Sequence, residues 1–406
     1  MAAWRFYHNP RVSPKILAQP LLDAARQAVP VTCDDYVLAV HDWSQLDFHT
    51  HTAKHDTMVL GQAEEIGYDL HTCLLVSDTV GEPLAPVYQG VQSARGLTSS
   101  RTLHTNPWPA DRSHLDALVE TMNFVRRQQL GRTAVHVIDA EAASVAHFRA
   151  WAKASHLFLV RVKDSRVVLH AGCRRQLHEV VQQLQPRFAF AREVLHHGQP
   201  AQQFVAETEV VLYRPAKPWR KNQDGRRVTV KGPALTLRLV VSQVRDAAGQ
   251  LLAEWRLLTN VPGSVLAAQV ALWYYWRWRI ESYFKLLKSA GQQVEHWQQE
   301  TAEAVTRRLL VAGMACVLVW QVARQEGADG VSLRALLMRL SGRAVKRSQP
   351  WTLPGLLAGL WVLLAMVTVS EEYTLTQLRQ AAQSILGENE DAKPTNRPQT
   401  THGPPP

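Results

Sequence analysis

The first thirty residues form a lead-in whose apolar spacing predicts a helix over 14–27. The pattern then changes to short apolar runs. Tyr36–Val40 (YVLAV) is continuous, aromatic and β-branched, and predicts a buried strand over 36–41. YDLHTCLLVS predicts a second strand over 68–77, and a third follows at 86–92. Helical spacing returns over 113–129. TAVHVI is a strand closed by Asp139, EAASVAHFRAWAKA reads as a helix over 141–155, and FLVRVK as a strand. Strands first, then helix and strand in alternation, predict an α/β core. Over 166–256 the runs ETEVVLY, RRVTVK and LTLRLVVSQV predict a β-rich insertion. From 300 to 386 the chain reads as helical. Its two most apolar segments, Leu309–Val322 and Gly355–Val369, fall short of the roughly 20 residues that span a bilayer. Both are expected to be buried core helices, with no membrane partner. The polar, Pro-rich 388–406 predicts disorder.

Composition adds a partner class. Lys and Arg number 45 against 35 Asp and Glu, a net charge of +10, with a pI near 9.6. Such a balance suits a polyanion, because neutralised phosphates release counterions. The four cysteines are scattered and contain no C-x-x-C pair, which argues against a structural zinc site or a disulfide framework. The opening MAAWRFYHNPRVSP lacks the apolar core of a secretory signal, so a cytoplasmic, nucleoid-associated location is expected. His49, His51 and His55 read better as a polar loop than as a metal trio.

The chemistry concentrates in YYWRWRIESYFKLLK. Tyr274, Arg277, Glu281 and Lys288 stand at the spacing Y-x2-R-x3-E-x6-K. On one helix, at roughly 100° per residue, they would share one narrow stripe. A carboxylate between two cations and a phenol suits a phosphate chain beside a metal ion. Two further carboxylates follow apolar strands, Asp42 after YVLAVH and Asp139 after TAVHVI. Three converging carboxylates repel one another unless a cation lies between them. Hard oxygen ligands suit Mg2+ or Mn2+, and a pair of such ions suits in-line phosphoryl transfer.

These residues resemble the signature of cut-and-paste DDE transposases of insertion sequences, the Tyr-Arg-Glu-Lys group (insertion sequence 4 family) that includes the transposase of transposon 5. RWRIE and FKLLK are close to that group's wording. The resemblance implies an α/β fold: a ribonuclease-H-like catalytic core (31–165 and 257–298) interrupted by the β insertion (166–256), then a helical dimerisation region (299–387). It implies Asp42, Asp139 and Glu281 as catalytic residues and ligands of two Mg2+ or Mn2+ ions. It further implies nicking, hairpin formation and strand transfer on DNA, with transposon ends and target DNA as partners and a homodimer in the active complex. Arg161, 22 residues after Asp139, matches a DNA-contacting Arg. Trp255 resembles a tryptophan that stacks a flipped base. The basic loop around Trp219 (Arg214, Lys217, Arg220, Lys221, Arg226 and Arg227) suits DNA-backbone contact.

The chain departs from the group in two places. The group's D-R-E-A-D reads D-A-E-A-A here, so Ala140 and Ala143 replace an Arg and an Asp. Asp42 also arrives earlier than the group's N-terminal end-binding domain would allow. The alternative expectation is therefore a remnant that binds DNA, or pairs with full-length transposase, without transposing.

Overall fold

The computed structural model describes residues 2–61, 64–109, 112–216, 229–344, 346 and 348–386. The expected tail, and Lys217 to Arg227 of the basic loop with Trp219, lie outside the described residues. The chain divides into two compact units, Met1–Gln325 and Glu326–Pro406.

The first unit is mixed α/β around one large, mostly antiparallel sheet. Its strands are β1 (Tyr36–Asp47), β2 (Met58–Val59), β3 (Ile66–Ser77), β4 (Pro83–Ser93), β5 (Gly96–Ser99), β6 (Thr133–Ile138) and β7 (Leu157–Arg161), then β8 (Val167–His170), β9 (Cys173–Gln176), β10 (Ala189–His196), β11 (Gln199–Leu212), β12 (Leu235–Arg245) and β13 (Leu251–Thr259). They follow the order β5-β4-β3-β1-β6-β7-β13-β12-β11-β8-β9, with β2 on β3 and β10 on β11. β1 is antiparallel to β3 and parallel to β6, and β6 is parallel to β7. The strands of the segment expected as an insertion belong to the same sheet, and β13 joins them to β7 through Leu257–Thr259, where the expected core resumes, Leu257 opposite Arg161.

Several boundaries differ from the sequence reading; the helix expected over 141–155, for one, is a 3-10 turn Ala140–Ala142 followed by the helix Val145–Lys153. β1 runs to Asp47, since it pairs β3 along its whole length, so Asp42 lies inside a strand opposite Thr72. The first predicted helix divides at Ala18 into Pro14–Leu17 and Gln19–Thr32.

Helices cover both faces of the β4-β3-β1-β6-β7 part. Gln19–Thr32, Arg279–Leu287 and Ala302–Arg324 pack on β1 and β4, while Leu118–Arg127 and Val145–Lys153 pack on β6 and β7. Alternation along β1 separates Asp42 from His41 and Trp43. His41, buried, joins a row of histidines. Its Nε2 meets Nδ1 of His136 at 2.9 Å and its Nδ1 meets Nε2 of His71 at 3.3 Å. The His136 ring abuts His156 edge-on, 5.3 Å between centroids. Burial holds all four neutral, lowering His71 to about 3 and His156 to about 4, with His41 and His136 well below the ordinary range.

In the second unit, Gly327–Leu340 and Leu353–Glu372 approach closely: a Cβ on Gly359 would fall 1.9 Å from the Leu337 carbonyl oxygen. A third helix, Leu375–Leu386, follows. The expectation of a buried helix over 355–369 fails. Leu353–Glu372 is 22% buried over its most apolar window, with Trp361, Leu364, Met366 and Val367 exposed. By length and composition alone it could cross a membrane. The segment misled because its apolar residues run all round the helix, a pattern common in core helices. Leu309–Val322, by contrast, is mostly buried within Ala302–Arg324.

Candidate active site

The signature segment is two helices rather than one. The first, Ala267–Trp276, ends in i→i+3 bonds, Arg277 N–H to the Tyr274 carbonyl (3.1 Å) and Trp278 N–H to Tyr275 (3.3 Å). The second is Arg279–Leu287. Such bonds tighten the turn and shift the phase of the second helix relative to the first, so the single stripe drawn from a continuous helix does not exist. Lys288 shows the consequence. It lies just past the second helix, its Nζ 3.2 Å from Glu295 and bonded to the carbonyl of Gln45, three residues along β1 from Asp42.

Arg277 instead gathers the acids. Its guanidinium lies 2.9 Å from Asp42, 3.7 Å from Asp139 and 3.7 Å from Glu281. Asp42 comes from mid-β1, Asp139 caps the 3-10 turn Ala140–Ala142 after β6, and Glu281 occupies the first turn of Arg279–Leu287. Arg161, the last residue of β7, places Nε 2.8 Å from Oδ1 and Nη2 3.3 Å from Oδ2 of Asp139. Tyr274 donates its hydroxyl to Asp139 Oδ1 at 3.3 Å, as does the Ala140 N–H at 2.5 Å. The pairing of β6 with β7 carries Asp139 and Arg161 together.

Charge in this cluster is unevenly met. Burial pushes the Asp42 carboxyl up to about 7, although Arg277 and the Trp43 N–H (2.9 Å) favour its anion. Glu281 and Glu141 add to the rise. Burial works against the Arg277 charge, but Tyr274, Asp139, Asp42 and Glu281 outweigh it and hold its pKa above the ordinary value. Burial, then Asp139, raises the Tyr274 phenol, which stays protonated as a donor. More positive charge would therefore be accommodated. The donors are carboxylate oxygens, the set that hard divalent cations prefer. As they stand, the acids face Arg277, and no three Asp, Glu, His or Cys side chains among the described residues are grouped so as to hold a metal ion.

Two openings flank the cluster. One, about 680 Å3, is lined by Asp42, Trp43, Asp69, His114, Asp139 and Glu141 together with Arg161. The other, about 570 Å3, is aromatic, lined by Trp255, Tyr274, Tyr275 and Trp278 together with Arg161 and Arg277. Trp255 lines the second opening, its ring 6.4 Å from that of Tyr274. Asp47 stays outside the cluster, bonded to His49 at 2.6 Å. His55 faces Glu300 at 3.8 Å.

Sequence reasoning passed over Asp69 and His114. Asp69 had a signal, a carboxylate within the apolar run YDLHTCLL. Burial raises it to about 6. His114 had none, because only the fold brings its turn to this wall.

No family model matches the chain, and no curated protein matches it. Among solved structures, a cryo-EM structure of a piggyBac transposase synaptic complex with hairpin DNA aligns with a TM-score of 0.38 and 9% identity, over 89% of this chain and 59% of that one. The chain spans about three-fifths of that protein's length. A likeness at this level assigns neither family nor reaction.

Proposed function

We propose that this chain is a DDE-type DNA transposase that cleaves and joins DNA strands by in-line phosphoryl transfer. The observation carrying this reading is the gathering of Asp42 from a strand, Asp139 from the turn after a strand and Glu281 from a helix around one buried guanidinium. The strands-first order of β1, β3 and β4, followed by helix–strand alternation through β7, supports a ribonuclease-H-like core.

Asp42, Asp139 and Glu281 are the residues that would hold Mg2+ or Mn2+, which when bound supplies Lewis acidity at the attacking and leaving oxygens. The chain's own groups do the rest. Arg277 offsets repulsion among the acids. Arg161 and Tyr274 fix the Asp139 carboxylate from two sides. Arg161 lines both openings and Arg277 the aromatic one, and guanidinium donors suit phosphate oxygens. The aromatic opening at Trp255 suits an unstacked base. In the first step a water oxygen bonds to phosphorus, the P–O3′ bond breaks, and the leaving oxygen takes a proton. In the second, the freed 3′-hydroxyl oxygen bonds to a phosphorus of target DNA, the target P–O3′ bond breaks, and the released O3′ takes the proton. Homodimerisation through the helical C-terminal region belongs to the same reading.

The test is nicking of supercoiled plasmid in Mg2+ or Mn2+. Glu281→Gln and Asp42→Asn should each abolish nicking while retaining DNA binding, measured by mobility shift. Nicking that persists in both variants would exclude this acid site.

A further inference from the structure

The opening that reaches Asp42 and Asp139 carries two more carboxylates, Asp69 and Glu141, yet few cations. Among the described lining residues its bases are Arg161 and His114. Arg161 already spends its Nε and Nη2 on Asp139. Ala140, on the same wall, adds no charge. A polyanionic strand entering here would meet four carboxylates, with Arg161 and His114 as the bases among them.

His114 is placed for such a contact. It begins the 3-10 turn His114–Ala117, whose Ser113 and Asp116 form a reciprocal cap. Its ring stands edge-on to Trp43, 5.3 Å between centroids, and Trp43 stacks on His71 at 4.4 Å. That aromatic pile fixes the ring while its side chain remains 39% exposed. Its Nε2 is 3.8 Å from Glu141. The charged and titratable groups facing it are Asp69 from β3, Glu141 from the turn after β6, Asp116 from its own turn, and neutral His71 behind Trp43. Burial alone would strip its proton, but Glu141, Asp69 and Asp116 outweigh burial and hold the imidazolium above its ordinary range.

We propose that His114, as an imidazolium, is a DNA-phosphate contact on the wall of the acidic opening that Arg161 also lines. This rests on reading the site as one that holds a DNA strand. An arginine there would bind at every pH, whereas an imidazolium makes the contact conditional on a proton. The charge is present at low pH and lost as pH rises through the raised pKa, so affinity should fall in the same direction.

The experiment uses the full chain with a labelled nicked duplex in metal-free buffer, titrated at several salt concentrations between about pH 6 and about pH 9, a range that brackets histidine ionisation. For the wild type, the slope of log affinity against log salt should shrink by about one unit from the acid to the alkaline end. His114→Gln should show the smaller slope throughout, and His114→Arg the larger slope throughout. If His114→Gln keeps the wild-type pH dependence, the proposal is overturned. A wild type that binds no duplex at any pH overturns both this proposal and the reading of the site. Wild-type binding with an unaltered His114→Gln overturns this proposal alone. Should either variant fail to fold, the His114 imidazole is titrated by NMR in the wild type with and without a single-stranded oligonucleotide. Its pKa must rise on binding, and an unchanged value also overturns the proposal.

Discussion

Arg277 carries the electrostatic load of the acidic cluster, and its removal exposes that dependence. It is buried, and Asp42 beside it is mostly so. Losing one partner of a buried pair leaves the other charge uncompensated, at about 3–5 kcal/mol. Arg277→Gln should therefore lower unfolding free energy in urea by a few kcal/mol. Adding Asp42→Asn should recover part of that loss, a coupling that a double-mutant cycle reads directly. Two independent losses that simply add would mean that the pair is not coupled. At this scale the sequence was informative about Asp42 and Asp139, because a carboxylate after an apolar strand is costly unless partnered. It was uninformative about which residue Arg277 would serve. An i,i+4 pair with Glu281 was the visible choice, but Asp42, 235 positions away, is the nearer partner at 2.9 Å.

At the scale of elements, the break between Ala267–Trp276 and Arg279–Leu287 is fastened from outside by the turn after β3. The Asp78 carbonyl accepts from Gln269 Nε2 (2.9 Å) and Trp273 Nε1 (3.0 Å), on the first helix. The Gly81 carbonyl accepts from Arg279 Nε (2.7 Å), at the start of the second. Gly81 has φ +68°, and a Cβ there would come within 2.4 Å of the Trp276 ring. Gly81→Ala should destabilise the fold by about 1–3 kcal/mol, the cost of forcing a side chain into a left-handed, crowded position. It should also weaken nicking by disturbing Arg277 and Glu281 from opposite sides. Thermal unfolding and plasmid nicking check this, and a variant unchanged in both would show that the turn does not fasten the break. The helices themselves were readable from apolar periodicity, but the break was not. Nothing in YYWRWRIE is a helix breaker, and the interruption is tied to tertiary hydrogen bonds that only the fold supplies.

For the molecule as a whole, the sequence pattern located the strands of the core and of the β-rich segment, and hydrogen bonding between β7 and β13 joins them in one sheet. Strand patterns identify strands, but edge pairing between distant segments leaves no local trace. The row of His41, His71, His136 and His156 is a property of that sheet, assembled from β3, β1, β6 and the residue preceding β7. It makes the interior an acid fuse. Unfolded histidines take up protons below about 6.5, while the folded ones resist until far lower. The unfolded state thus binds more protons in that interval, so stability is complete above about 6.5 and drains away as pH falls toward the folded values. His156→Gln should flatten the fall between about pH 4 and 6.5 by up to one proton's worth of slope, measured by urea unfolding across that range. An unchanged slope would remove His156 from the fuse. Acidification therefore acts on the protein twice: it favours unfolding through protons that only the opened chain takes up, while in the folded protein it charges the rim of the site.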